Sequence, residues 1–184
     1  MSNLPSALLI PDSALAKEAT DLLREHSTDL LFNHSMRVYL FAAEQGRQRK
    51  LGFDPELLYV AAAFHDFGLI KKFSSPDERF EVDGANAARQ FLTAHKVPEE
   101  QIEIAWEAIA LHTTPGVTQY MRPEVALLYS GEWVSMCLEE ASISFLRSRV
   151  RKSWPNILES TSRQASSKST LLALRTSPVR PTAP

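Results

Sequence analysis

The stretch A-A-A-F-H-D-F-G at residues 61–68 decides how this chain is interpreted. The residues from 58 to 64 are all apolar or aromatic, and a segment that is apolar on every side is typical of a helix buried in a core. His65 and Asp66 come at the C-terminal end of this predicted helix, before Gly68 ends it. An imidazole and a carboxylate, both able to bind a metal, are therefore predicted to enter the interior side by side.

Two further histidines lie in segments with helical spacing. His34 occurs in L-L-F-N-H-S-M-R-V at residues 30–38, and His112 occurs in A-I-A-L-H-T-T-P-G at residues 108–116. The spacing places His34 on the apolar face of its helix and predicts that the opposite face, which meets water, carries Arg37, Glu44 and Arg47. We therefore expect His34 to point inward and to need a polar or metal partner.

Six helices are predicted along the chain, and no segment shows sustained period-two alternation. The expected starts are Ser13, then Ser27 or Thr28, Asp54-Pro55, about Glu81, Pro98 and Met121, with the fourth helix ending near His95. The polar stretch from Lys71 to Arg79 is predicted to be a loop beside the site. The fold class is therefore all-α.

The composition limits which binding partners and which cellular compartment are expected. The 184 residues are 44% hydrophobic with a net charge of -2, which predicts one core and no basic surface for nucleic acid or an anionic membrane. The single cysteine, Cys137, cannot form an internal disulfide, and no apolar run reaches the ~18 residues that span a bilayer. We expect a cytoplasmic protein with a small-molecule substrate, and a homo-oligomer is left open.

Several of these stretches resemble one known family. They are P-D-S-A-L-A-K-E, N-H-S-M-R-V-Y-L-F, D-P-E-L-L-Y-V-A-A, R-F-E-V-D-G-A-N-A-A, A-I-A-L-H-T-T-P-G and P-E-V-A-L. Together they resemble the cyanamide hydratase-like branch of the HD-domain superfamily over residues 11–131. The resemblance implies a compact HD-domain helical bundle for residues 1–131. The composition of residues 132–184 instead predicts an irregular Ser/Arg/Pro-rich tail.

The resemblance also implies a metal site. The superfamily's mononuclear centre is similar to His34, His65 and Asp66 together with a later aspartate, a donor set that suits zinc first and also iron or manganese. The last aspartate here is Asp83, which is too early for that role and is more simply a helix cap. His112 has three open interpretations: a replacement ligand, a base near the substrate, or a core residue.

The activity implied by the resemblance is hydration of a small nitrile, with cyanamide giving urea. A bound metal lowers the pKa of water toward ~7 and so supplies hydroxide, while His112 with Thr113 or Thr114 carries the proton to nitrogen. The alternative is an HD-type phosphohydrolase of nucleotides or phosphate esters that uses Lys71, Lys72 and Arg79. The apolar stretch F-H-D-F-G-L-I at residues 64–70 favours a small uncharged substrate.

The composition changes from Glu132 onward. This part has no aspartate, and its eight Lys or Arg face four Glu. One interpretation is a disordered, weakly basic extension. The other is a displaced reading frame, since back-translation of residues 132–144 read one base earlier, from Gly131, can give G-V-G-I-D-V-P-G-R-S-F-D-I, which restores an aspartate.

Both interpretations of the tail remove the late aspartate ligand from this chain. Either way, no carboxylate from beyond Gly131 is expected in the site, because the apolar pattern does not fix Glu132, Glu139 or Glu140 inward. An inactive HD-domain remnant is therefore the third candidate. The nucleotide sequence tests the displaced-frame hypothesis, and an in-frame gene with no alternative aspartate codon would reject it.

Overall fold

A computed structural model describes residues 10–140 of the chain, with side chains to Met136. Within these residues the structure is helical and contains no strand, which confirms the all-α prediction. Short 3-10 turns occur at Phe67–Leu69 and Thr118–Tyr120. The helices are α1 (Ala14–His26), α2 (Asp29–Gln48), α3 (Pro55–Phe64), α4 (Phe80–Ala94), α5 (Glu99–Leu111) and α6 (Pro123–Glu140). The predicted tail lies outside the described residues from position 141 onward.

The first three helices begin at the residues whose side chains predict a helix start. The Ser13 Oγ atom accepts a hydrogen bond from the backbone of α1, and the Thr28 Oγ1 atom does the same for α2. The Asp54 carboxylate accepts from two backbone amides at the start of α3, where proline occupies the first helical position. These caps satisfy amides that have no partner within the helix.

Helix α3 lies in the centre of the bundle, and all its residues from Leu57 to Phe64 are buried. It contacts α1, α2, α4, α5 and α6. The Tyr59 ring of α3 packs edge to face on the Tyr39 ring of α2, with ring centroids 5.0 Å apart. Helix α3 ends at Phe64, earlier than the predicted end at Gly68, so His65 and Asp66 lie in the turn that follows it.

The prediction that the polar face of α2 meets water was wrong for two residues. Arg37 and Glu44 are each only 5% exposed. The spacing within α2 alone therefore does not set the exposure of these two side chains. The Glu44 carboxylate accepts hydrogen bonds from Arg47 and Gln48, which keeps this buried charge paired.

Glycine allows α6 to approach α2 closely. A Cβ atom at Gly131 would lie 2.5 Å from the carbonyl oxygen of Val38 and 2.8 Å from the Cβ atom of Ala42. A Cβ atom does not approach other heavy atoms this closely, so any side chain at position 131 would push the two helices apart. The position of the second half of α6 therefore depends on Gly131.

Gly131→Ala is expected to lower the free energy of unfolding by about 1–3 kcal/mol, because the added methyl group meets backbone atoms that cannot rotate away. Urea denaturation followed by circular dichroism measures this loss. Gly52→Ala is the control, since a Cβ atom at Gly52 meets nothing within 4 Å. Equal stability of the two variants would contradict the close packing of α6 on α2.

Candidate metal centre

The structure brings His34, His65 and Asp66 together, as their helical spacing predicts. One ligand atom from each lies within 4.8 Å of the other two, and all three residues are buried. The Asp66 Oδ2 atom is 3.4 Å from His65 Nε2 and 3.6 Å from His34 Nε2. Helix α2 supplies His34, and the turn after α3 supplies the other two side chains. This cluster is the candidate metal centre.

Backbone carbonyls fix the orientation of two histidine rings in this region. The His65 Nδ1 atom is 2.8 Å from the Ala62 carbonyl oxygen, and the His112 Nδ1 atom is 2.6 Å from the Ile109 carbonyl oxygen. Because a carbonyl only accepts, each Nδ1 atom carries a proton, and in the neutral ring each Nε2 atom then has a lone pair. This is the tautomer that metal binding through Nε2 requires.

The geometry of the Nε2 atoms fits a shared divalent ion. The Nε2 atoms of His34, His65 and His112 are all buried. Atoms that bind one ion at about 2.1 Å lie roughly 3.0 Å apart in octahedral and roughly 3.4 Å apart in tetrahedral coordination. The separations of 3.4 and 3.6 Å to Asp66 Oδ2 are close to the tetrahedral value.

Glu132 also reaches this cluster, which contradicts the expectation that no carboxylate beyond Gly131 does so. Its Oε2 atom is 2.9 Å from His34 Nε2 and 3.7 Å from His65 Nε2, and the residue is 2% exposed. The expectation failed because α6 continues through Gly131 to Glu140. Helical spacing could have placed Glu132 inward, because the buried face of α6 carries Val125, Leu128, Glu132 and Ser135.

Opposite charges dominate the electrostatics of the cluster. Burial raises the pKa of Asp66, but the imidazoles of His65, His112 and His34 outweigh this effect and hold the pKa below its ordinary value. Burial likewise raises the pKa of Glu132, and His34 with His65 lowers it well below the ordinary value. Two buried carboxylates are thus kept ionised, an arrangement that requires compensating positive charge.

The imidazole of His65 responds to the same charges. Burial lowers the pKa of His65, whereas the carboxylates of Asp66 and Glu132 raise it, and the net pKa is above the ordinary value. A divalent cation bound among these groups would supply positive charge to the same two carboxylates. The donor set and its charge therefore fit a divalent metal.

His112 faces the same cluster from the end of α5. Its Nε2 atom is 3.6 Å from Asp66 Oδ1, the carboxylate oxygen that does not make the close approaches to His34 and His65. The His112 ring also lies edge to face against the His65 ring, with centroids 4.9 Å apart. His112 is therefore fully buried beside the predicted ligands, with its Nε2 atom toward Asp66.

Thr113 makes a contact that the sequence did not reveal. Its hydroxyl donates a 2.6 Å hydrogen bond to the Oε1 atom of Glu81, which also accepts from Arg79 Nη2 at 2.6 Å. Burial raises the pKa of Glu81, but the hydrogen bonds from Arg79 and Thr113 lower it below the ordinary value. The Thr113 proton is thus held by a carboxylate outside the His34, His65 and Asp66 cluster.

Thr113→Val is expected to reduce the free energy of unfolding by about 1 kcal/mol, because the buried Glu81 carboxylate loses one donor while keeping Arg79. Thermal or urea unfolding measures this change, with Thr114→Val as the neighbouring control. A Thr113→Val protein as stable as the control would show that this hydrogen bond does not form in solution.

The loop between α3 and α4 is anchored at Asp83. The Asp83 carboxylate accepts a 2.7 Å hydrogen bond from the backbone amide of Ser75. The side chain therefore ties the loop to α4, whereas the sequence favoured a simple helix cap. Lys71 and Lys72 are exposed on this loop, and the Lys72 ammonium lies 2.9 Å from His26 Nε2.

Comparison with known protein families identifies the architecture. The family model for the HD domain matches residues 31–146, which is more than half of the chain and includes His34, His65, Asp66, His112 and Glu132. The chain belongs to the HD domain family. This family is one of metal-dependent hydrolases whose domains bind divalent metals, in agreement with the cluster at His34, His65 and Asp66. A search of curated proteins gave no match.

Among residues 10–140, no helix has both the length and the apolar character needed to cross a bilayer. The matched region extends to residue 146, so its last six positions lie outside the described part of the chain.

Proposed function

We propose that this HD-domain protein is a metal-dependent enzyme that hydrates a small nitrile, with cyanamide as the first candidate and urea as its product. The observation that carries the proposal is the enclosure of the site: His34, His65, Asp66 and His112 are at most 3% exposed. A site closed in this way favours a small substrate over a nucleotide. The resemblance of residues 11–131 to the cyanamide hydratase-like branch supports the same choice.

His34, His65 and Asp66 would hold the metal, and their two nitrogens and one carboxylate suit zinc, iron or manganese, with zinc preferred. The chemistry that a bound divalent ion supplies is that of a Lewis acid, which makes water a better nucleophile and polarises an electrophile. The remaining requirements of the reaction fall on the protein: selecting the substrate, excluding bulk water and moving protons.

The side chains around the cluster favour an uncharged substrate. The Phe80 ring packs edge to face on His112, with centroids 5.7 Å apart, and the buried Phe67 ring packs on Phe64 at 4.3 Å. The guanidinium of Arg79 is paired with Glu81, and the ammonium of Lys72 contacts His26. These cations are engaged elsewhere, whereas a phosphate ester would need several of them.

Proton transfer is assigned to His112. Hydration converts the carbon–nitrogen triple bond of the nitrile to a single bond and forms a carbon–oxygen double bond. Both protons of water end on the nitrile nitrogen without any redox change. His112 can carry each proton on Nε2 because its Nδ1 atom stays bonded to the Ile109 carbonyl. Thr113 is not needed for this step, since its proton is donated to Glu81.

Urea formation from cyanamide by the metal-loaded protein, with and without a chelator, tests the proposal. We expect turnover that the chelator removes and that added metal restores. Turnover of phosphate monoesters or nucleotides without any of cyanamide would replace the proposal with the phosphohydrolase alternative. Stoichiometric metal without turnover of either class would favour the inactive remnant.

A further inference from the structure

We propose that Glu132 supplies a fourth protein ligand to the divalent ion held by His34, His65 and Asp66. This inference rests on the metal site of the proposed function and extends it to a residue beyond the donor set predicted there. Glu132 is 2% exposed, and its Oε2 atom approaches the Nε2 atoms of both histidines, at 2.9 and 3.7 Å. A glutamate thus takes the place of the aspartate that this chain lacks.

The approach of Glu132 to the histidines has the geometry of shared coordination. The His34 Nε2 atom lies 2.9 Å from Glu132 Oε2 and 3.6 Å from Asp66 Oδ2, so both carboxylates approach the same edge of this ring. Ligands of one ion approach one another in this way because their ligand atoms surround a common point. The separations of 2.9, 3.4, 3.6 and 3.7 Å between the histidine nitrogens and the carboxylate oxygens lie around the roughly 3.4 Å expected for ligand atoms in tetrahedral coordination.

The register of α6 explains why a glutamate is suitable at this position. Ser135 lies one helical turn after Glu132 and is also buried, but its Oγ atom is 3.5 Å from Nδ1 of His34, the other edge of the ring. Only Glu132 of these two residues meets the Nε2 edge. Aspartate at 132 would place its carboxylate about 1.5 Å closer to the helix, the length of one carbon–carbon bond.

Charge gives a second reason to include Glu132 among the ligands. With neutral histidines, the carboxylates of Asp66 and Glu132 carry two negative charges, which a divalent cation neutralises. Removing the charge of Glu132 would leave the ion with one uncompensated charge in a buried site, where such a charge is costly. We therefore expect Glu132→Gln to weaken metal binding without changing the size of the side chain.

Competition of the full-length protein with a chromophoric chelator for Zn²⁺ tests the inference. We expect the wild type to bind one zinc ion per chain, Glu132→Gln to bind it about 100-fold more weakly, and Glu132→Asp to be intermediate. Glu124→Gln is the matched control on the same helix. Glu124 is buried and accepts a 2.8 Å hydrogen bond from the backbone amide of Asp54, which a glutamine can also accept.

Cobalt gives a readout that does not depend on activity. Co²⁺ bound to the wild type and to Glu124→Gln should give the same visible absorption spectrum, and Glu132→Gln should shift it because one oxygen ligand changes. If Glu132→Gln does not fold, Glu132→Asp provides the same comparison. A Glu132 variant that keeps both the wild-type zinc affinity within threefold and the wild-type cobalt spectrum would overturn the inference, whereas a wild type that binds no metal would overturn the metal site itself.

Discussion

Asp66→Asn is expected to remove stoichiometric metal from the purified protein and to lower urea formation from cyanamide by at least about 100-fold. Asp66 is the member of the cluster that both histidine ligands approach, at 3.4 and 3.6 Å. Asparagine has almost the same size as aspartate, but its amide oxygen is a neutral and weaker metal ligand. The metal therefore loses a charged ligand while the packing is kept. Metal analysis and an activity assay on the same preparation measure the two effects.

Asp77→Asn is the control for this substitution, because Asp77 is exposed on the loop after α3. It should keep both metal and activity. Circular dichroism without metal should show folded protein for both variants. If the Asp66→Asn protein bound one metal per chain at wild-type affinity, Asp66 would not be a ligand and the ion would be held elsewhere.

His112→Asn is expected to lower turnover by about 10²–10⁴-fold while metal stays bound, since a positioned acid–base group contributes an effect of that size. The asparagine amide can still donate to the Ile109 carbonyl, as Nδ1 of His112 does, but it has no group in place of Nε2. The variant therefore removes the proton carrier and keeps the local hydrogen bond. Steady-state kinetics with a parallel metal assay measure the result.

His95→Asn is a matched control for this variant. The Nδ1 atom of His95 lies 2.8 Å from the Phe91 carbonyl oxygen at the end of α4, and its Nε2 atom contacts Glu18 outside the cluster. We expect wild-type turnover from the control. Loss of metal from His112→Asn in proportion to its loss of activity would show that His112 is a ligand, and unchanged turnover would exclude it from proton transfer.

The sequence predicted those parts of the fold that depend on local chemistry. Caps at Ser13, Thr28 and Asp54 placed the starts of three helices because each side chain bonds to amides within its own first turn. His34, His65 and Asp66 could be placed inward because the residues around them are apolar at helical spacing. The caps and the apolar spacing can each be identified from the residues of one helical segment.

The missed features depend on how helices pack against one another. Arg37 and Glu44 are buried although they lie outside the apolar face of α2, so parts of the chain other than α2 must cover them. Glu81 could not be linked to Thr113 for the same reason. Glu132 could have been predicted from its own helix, because its spacing from Val125 and Leu128 places it on the buried face of α6. The unusual composition of the residues after it obscured this pattern.

Binding of one divalent ion by His34, His65 and Asp66 can be observed in crystals of the zinc-loaded protein. Anomalous diffraction recorded on both sides of the zinc absorption edge locates the ion. We predict one strong peak at about 2.0–2.2 Å from Nε2 of His34, Nε2 of His65 and a carboxylate oxygen of Asp66. No peak among these three side chains, or a peak bound only by residues elsewhere, would contradict the claim.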